Sequence, residues 1–194
     1  MQYIAIFASG KGSNAETICR YFSKHQMVKV SCIVSNKQNA GVFEVASRFN
    51  IPFFYLSPDL LKSPSDLLLL LKKHKVNFIV LAGYLKQILP EMISAYPRKI
   101  INIHPALLPK FGGKGMYGMY VHEAVAKEKE KESGITIHYV DEHYDEGEII
   151  FQTQTQIDSE DSPQRIAEKV LQLEHQYFAP VIETVIENYL KKIN

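Results

Sequence analysis

Five short apolar runs, each followed by a change of pattern, constrain the fold of this chain more than any other feature. They are YIAIF (3–7), VKVSCIV (28–34), PFFYL (52–56), NFIVLAG (77–83) and IINIH (100–104). Helical segments fall between them, at about 15–23 and 40–49. A further helix starts at SPSD (63–66), where Ser63 is a candidate cap, Pro64 suits the first helical position and Asp66 complements the helix dipole. Strands that are apolar and β-branched on both sides must be covered on both faces, so this alternation predicts a parallel sheet between two helical layers.

The pattern changes in the second half. GITIHYVD (134–141) and EIIFQTQTQI (148–157) alternate strongly and are joined by a few residues, which predicts an antiparallel extension of the sheet. A long helix from about Pro163 to Lys191 closes the chain, and KEKEKE (127–132) reads as a solvated helix end. The expected class is α/β: a Rossmann-like, mostly parallel twisted sheet flanked by helices, with an antiparallel strand extension in the C-terminal half.

Composition narrows the partners. The 194 residues are 46% hydrophobic, enough for a sizeable core. Lys plus Arg number 22 against 21 Asp plus Glu, a formal charge of +1, which argues against a protein that neutralises a nucleic-acid backbone. Cys19 and Cys32 form no CxxC pair or disulfide framework, and both are expected to be reduced. The longest leucine run, Leu67 to Leu71, is far shorter than the roughly 20 residues a bilayer requires. No basic-then-apolar leader opens the chain, and the expected setting is cytoplasmic, with no membrane and no nucleic acid.

Two stretches carry chemistry. ASGKGSNAE follows the first strand and opens the first helix. Its spacing, Gly10-x-Gly12-x-x-Ala15, is near that of a dinucleotide loop, but Asn36 stands at the end of the second strand where a ribose-binding Asp or Glu is expected. No Gly-Lys-Ser/Thr of a Walker loop follows. What remains is a helix N-terminus whose backbone N–H groups at Gly12, Ser13 and Asn14 attract an anion such as a phosphate; a plain βα turn is the alternative. The second stretch is INIHP (101–105). Side chains alternate along a strand, so Asn102 and His104 share a face while Ile101 and Ile103 pack under a helix on the other. Pro105 ends the strand. Ligand crevices in open parallel sheets lie outside the carboxyl ends of strands, which places His104 at the rim and Asn102 just below it. HYVDEHYDEG (138–147) adds imidazoles and carboxylates. It lacks HExxH or a comparable ligand spacing, so no metal is expected. His138 reads as structural, several of the acids as a solvated turn, and one carboxylate is needed to reach His104.

Taken together, IAIFASGKGSN, VLAGYLKQILP, INIHPALLPKF, GITIHYVDEHYDEGEIIFQ and LEH (173–175) resemble, in order and spacing, the folate-dependent glycinamide ribonucleotide (GAR) formyltransferases of de novo purine synthesis. NIHPALLP with a later aspartate is shared by the wider group that includes methionyl-tRNA formyltransferase and formyltetrahydrofolate deformylase. GKGSN and the short chain point to the purine enzyme. The resemblance implies one formyltransferase domain over 1–194, with a nucleotide-binding half (about 1–100) and a catalytic and folate-binding half (about 101–194). It implies an enzyme that moves a formyl group from 10-formyltetrahydrofolate to the primary amine of GAR, giving formyl-GAR and tetrahydrofolate, without a metal and as a monomer or homodimer.

The triad implied is Asn102, His104 and Asp145. Gly12, Ser13, Asn14 and Glu174 would bind GAR. Folate would lie against Leu85, Lys86, Gln87, Ile88 and Leu89, with Asn102, Val140, Asp141 and Asp145. Asp145 is expected to raise the pKa of His104 by opposite charge. Two departures stand out. GGKGMYGMY (112–120) is longer and richer in glycine than in some relatives, and is expected to form a mobile flap. No arginine near 59–66 is placed to hold the folate glutamate tail, leaving Lys62 as a substitute. Alternatives are the deformylase and a non-catalytic nucleotide-binding module; an NAD-dependent oxidoreductase is disfavoured by Asn36.

Overall fold

The structure, a computed structural model, describes residues 1–193. Its elements run β1 (Gln2–Phe7), α1 (Ser13–Phe22), β2 (Val28–Ser35), α2 (Val42–Arg48), β3 (Phe53–Tyr55), α3 (Pro64–Lys73), β4 (Phe78–Leu81), α4 (Pro90–Ala95), β5 (Ile100–His104), α5 (Met119–Lys127), β6 (Glu132–Tyr139), β7 (Ile149–Gln156) and α6 (Pro163–Ile193). One seven-stranded sheet has the order β3-β2-β1-β4-β5-β6-β7. Pairing is parallel from β3 through β5. It is antiparallel from β5 to β6 and from β6 to β7. The expected class therefore holds, including the antiparallel extension.

The alternation of side chains divides the core in two. Ile4, Ile6, Ile101 and Ile103 face α1, α2, α5 and α6, with Phe178 and Ile182 of α6 beneath the sheet. Ala5, Phe7, Ile79 and Ile100 face α3 and α4 through Leu67, Leu71 and Met92. Ile4, Ile79 and Ile101 are fully buried, each contributing about 1.5–3 kcal/mol of hydrophobic stabilisation. The chain winds outward from β1 to β3, returns, and winds the other way from β4 to β5. Strand order thus reverses between β1 and β4, and a crevice opens at the carboxyl ends of those strands.

The structure sharpens three local readings. Ser63 occupies the N-cap of α3, but its hydroxyl donates to the Asp66 carboxylate at 2.6 Å and accepts no backbone N–H. Only Lys127 of the KEKEKE run is helical, and Glu132 already opens β6. The glycine-rich stretch 112–120 is not all loop, because α5 begins at Met119. The last helix runs through Pro180, which cannot donate a backbone hydrogen bond. Burial of Phe178, Ala179 and Ile182 on either side keeps it against the sheet.

Candidate active site

A cavity of about 860 Å³ occupies the crevice and runs from the start of α1 to the segment after β4. At its first end Gly12 turns the chain in a left-handed conformation (φ 85°), and its carbonyl accepts the Glu16 N–H at 2.8 Å. The first N–H groups of α1 have no intrahelical acceptor and carry the positive end of the helix dipole. Ser13 and Asn14 line the cavity there beside Lys11 and Lys37. Gly12 does not line it: its α-carbon packs against Val42, so its part is to aim the two residues that follow.

Glu174 reaches this end from α6. Asn14 Nδ2 donates to its Oε2 at 2.7 Å, while Asn14 Oδ1 is buried without a partner. Burial raises the Glu174 carboxyl above its usual range, against the lowering effect of the Asn14 hydrogen bond. Asn36 has a structural task, since its Oδ1 accepts the Ser9 hydroxyl at 2.6 Å and so ties β2 to the β1 loop.

Midway along the cavity, Asn102 and His104 share one face of β5, opposite His138 and Thr136 of β6 in the antiparallel register. Their depths reverse the expectation. His104 is 4% exposed and Asn102 half-buried, because the chain after Pro105 folds back over the imidazole. His104 Nε2 donates to the Phe111 carbonyl at 2.8 Å, and Nδ1 lies 3.4 Å from Asp145 Oδ2. Asp145 adopts φ 59° and accepts the Gly113 N–H at 2.9 Å. A side chain at Gly112 would crowd Leu108 and place its Cβ 3.3 Å from that of Asp145, so a glycine lets the loop close on the carboxylate. Part of the unassigned glycine-rich stretch is thereby explained.

Burial decides the direction for His104 but not for Asp145. Burial lowers the pKa of His104 and outweighs the raising effects of Asp145 and the Phe111 carbonyl, while His138 adds to the lowering. The charge effect of Asp145 has the expected sign, but the net direction is the opposite of the one expected. Burial acts to raise the Asp145 carboxyl, yet the His138 and His104 rings and the Gly113 N–H hold it below its usual range.

Two residues not read from the sequence as site residues belong here. His138 Nδ1 donates to the Tyr139 carbonyl at 2.9 Å, so its Nε2 accepts from Asn102 Nδ2 at 3.0 Å. That bond orients the amide and leaves its second N–H free. His138 Nε2 is also 3.6 Å from Asp145 Oδ1. The available signal was pairing register, since His138 sits directly across from Asn102. His122 of α5 lines the cavity, and burial, then the charge of His104, push its pKa down to about 4. No sequence signal separates it from an ordinary helix histidine.

Leu85, Lys86, Gln87 and Ile88 form the far wall, with Val140 and Asp141 across from them. Gln87 Nε2 donates to the Glu142 carbonyl at 3.3 Å and links the two sides. Leu89 is a correction: it packs toward α4 and the second core and does not line the cavity. Lys62 is exposed and also lies outside the lining. Among the described residues, no three His, Cys, Asp or Glu side chains are grouped to hold a metal ion. No helix among them is long and apolar enough to cross a membrane.

An amide and an imidazole on β5 and a carboxylate from the turn between β6 and β7 thus meet in one cavity. Residues 2–182 match the formyl transferase family, and the chain belongs to that family. It is 37% identical over 191 residues to the phosphoribosylglycinamide formyltransferase of Bacillus subtilis, covering 96% of this chain and 95% of that one. It is 41% identical over 194 residues to the chloroplastic phosphoribosylglycinamide formyltransferase of Arabidopsis thaliana, covering 97% of this chain but only 66% of the relative. The crystal structure of glycinamide ribonucleotide transformylase 1 from Geobacillus kaustophilus superposes with a TM-score of 0.87 at 35% identity, over 95% of this chain and 98% of that one.

Proposed function

We propose that this chain transfers the formyl group of 10-formyltetrahydrofolate to the primary amine of glycinamide ribonucleotide, giving formyl-GAR and tetrahydrofolate in purine synthesis. The observation that carries this reading is the gathering of Asn102, His104 and Asp145 midway along one cavity. An anion-attracting helix start lies at one end of that cavity and an apolar slot at the other. The nucleotide phosphate sits on the Ser13 and Asn14 N–H groups, and Glu174 contacts the ribonucleotide. The pterin lies between Leu85–Ile88 and Val140–Asp141, reaching Asn102 and Asp145. The cavity is within the roughly 300–1,000 Å³ of small-molecule sites. Both substrates are small molecules, and the setting is cytoplasmic.

The attacking amine must be neutral, and a free α-amino group titrates near 8, roughly, so a small shift suffices. Attack on the formyl carbon forms a C–N bond and leaves an oxyanion. The free N–H of Asn102 donates to that oxygen. His104 has Nε2 committed to Phe111, so Nδ1 is the nitrogen that takes a proton, with Asp145 beside it to hold the resulting imidazolium. The pair receives the proton shed by the attacking nitrogen. Cleavage of the bond from the formyl carbon to N10 then completes transfer as N10 collects a proton.

The test is an assay of formyltetrahydrofolate consumption with and without GAR, on wild type and Asn102→Ala. Consumption should require GAR, and the variant should lose about 10²–10³ in kcat, the scale of one oxyanion donor. Equal consumption without GAR identifies a deformylase instead. Ligand binding with no turnover identifies a binding module.

A further inference from the structure

The polar row that begins at His104 continues away from the cavity. Residues directly opposite in an antiparallel pair project to the same face of the sheet. His104 of β5 is opposite Thr136 of β6, and Thr136 is opposite Gln152 of β7. Neither Thr136 nor Gln152 lines the cavity. Thr136 is fully buried, and its hydroxyl is saturated. It donates to the Ala106 carbonyl at 2.7 Å and accepts from the Leu108 N–H at 3.0 Å and Gln152 Nε2 at 2.8 Å. Gln152 Nε2 also donates to the Leu108 carbonyl at 3.1 Å. Both backbone groups of Leu108 are therefore tied to the antiparallel strands. The loop fixed in this way goes on to place the Phe111 carbonyl on His104 and the Gly113 N–H on Asp145.

We propose that Thr136, with Gln152, is a positioning residue for the reaction: the pair clamps the loop after β5 so that the Phe111 carbonyl selects the Nε2–H form of His104. A carbonyl only accepts, so a correctly placed Phe111 oxygen demands hydrogen at Nε2 and leaves Nδ1 to face Asp145. Without the hydroxyl, the Leu108 N–H and Ala106 carbonyl lose their partner and the loop is free to shift. His104 then samples both tautomers. A displacement near 1 Å at reacting groups costs up to about 10²-fold in rate.

This inference rests on the formyl-transfer reading, and its test separates the two. Thr136→Val keeps shape and removes the hydroxyl; Thr136→Ser restores it; Gln152→Leu removes the second tie at a more exposed position. Thr136→Val should lower kcat about 10–100-fold while KM for GAR stays within about 3-fold. Thr136→Ser should recover most of the loss, and Gln152→Leu should show a smaller loss of the same kind. Nitrogen NMR of the His104 ring, which needs no turnover, should report the Nε2–H tautomer in wild type and a mixture in Thr136→Val. Its titration should move to lower pH as the raising effect of the Phe111 carbonyl is lost, with Asp145, His138 and His122 still facing the ring. An unchanged His104 tautomer and titration in folded Thr136→Val overturns the proposal, whatever the activity. So does a loss of kcat that Thr136→Ser fails to recover. Inactive wild type with the expected NMR change overturns the formyl-transfer reading alone.

Discussion

The α1 end of the cavity and its middle are built on different physics. The end at α1 combines backbone with a few side chains: a left-handed glycine, the open N–H groups of α1, Lys11, Lys37 and the buried Glu174 carboxylate. Its attraction for an anion comes from the dipole of α1 and from the Lys11 and Lys37 side chains beside it. The middle of the cavity is built of side chains from β5, α5, β6 and the turn before β7, among them His104, His122 and His138. Burial lowers the proton affinity of His104 and His122. Both regions therefore answer to pH, the first through Glu174 and the second through His104, His122 and Asp145.

Gly12→Ala is the strongest way to break the α1 end alone. A methyl group there would lie 2.7 Å from Val42 Cγ2 and 2.9 Å from Val42 Cα, and the residue would keep a positive φ of 85°. The expected cost is about 2–3 kcal/mol of stability, read by urea denaturation. KM for GAR should rise at least about tenfold with kcat little changed. A variant as stable as wild type would remove the strained turn from the description.

His122→Gln probes the middle of the cavity. Burial pushes the His122 pKa down to about 4, from the usual 6.5. Between those values the unfolded chain holds a proton that the folded chain lacks, so wild type loses stability as pH falls through that window. His104 acts in the same direction. Removing His122 should spare up to about 2–3 kcal/mol of the loss between pH 7 and pH 4. Urea midpoints at the two pH values measure it, and identical acid sensitivity in both proteins would refute it.

The smallest effect is expected from Glu174→Gln. Burial raises the Glu174 carboxyl, so stability is greatest below its unfolded value and is lost as pH rises through the folded one. The amide should therefore match wild type near pH 4 and exceed it at pH 8, by about 1 kcal/mol or a Tm gain of about 2–4 °C. Affinity for GAR should fall at the same time. A variant less stable than wild type at pH 8 would mean that the buried charge is compensated by more than Asn14.

Much of the parallel half was legible because strands covered on both faces must be apolar on both sides, and that leaves a mark in the residues themselves. Asn102 and His104 stood out against this background as polar groups on one face of such a strand. His138 and His122 did not, because a single imidazole in an alternating strand or an amphipathic helix has the same appearance with or without a role. Pairing register placed the first beside Asn102, and helix packing placed the second in the cavity. Leu89 failed for a related reason: one residue's step along an irregular segment turned it from the cavity to the core.

By itself, the order of residues determined the layering of the sheet, the glycine turn before α1 and the amide and imidazole at the end of β5. These follow from local periodicity and local backbone chemistry. Only the tertiary structure decided how deep His104 lies, which of its nitrogens carries hydrogen, and that burial outweighs Asp145 in setting its charge. Those properties belong to the loop that returns over it and to strands far along the chain, because desolvation and hydrogen bonding act through space rather than along the sequence.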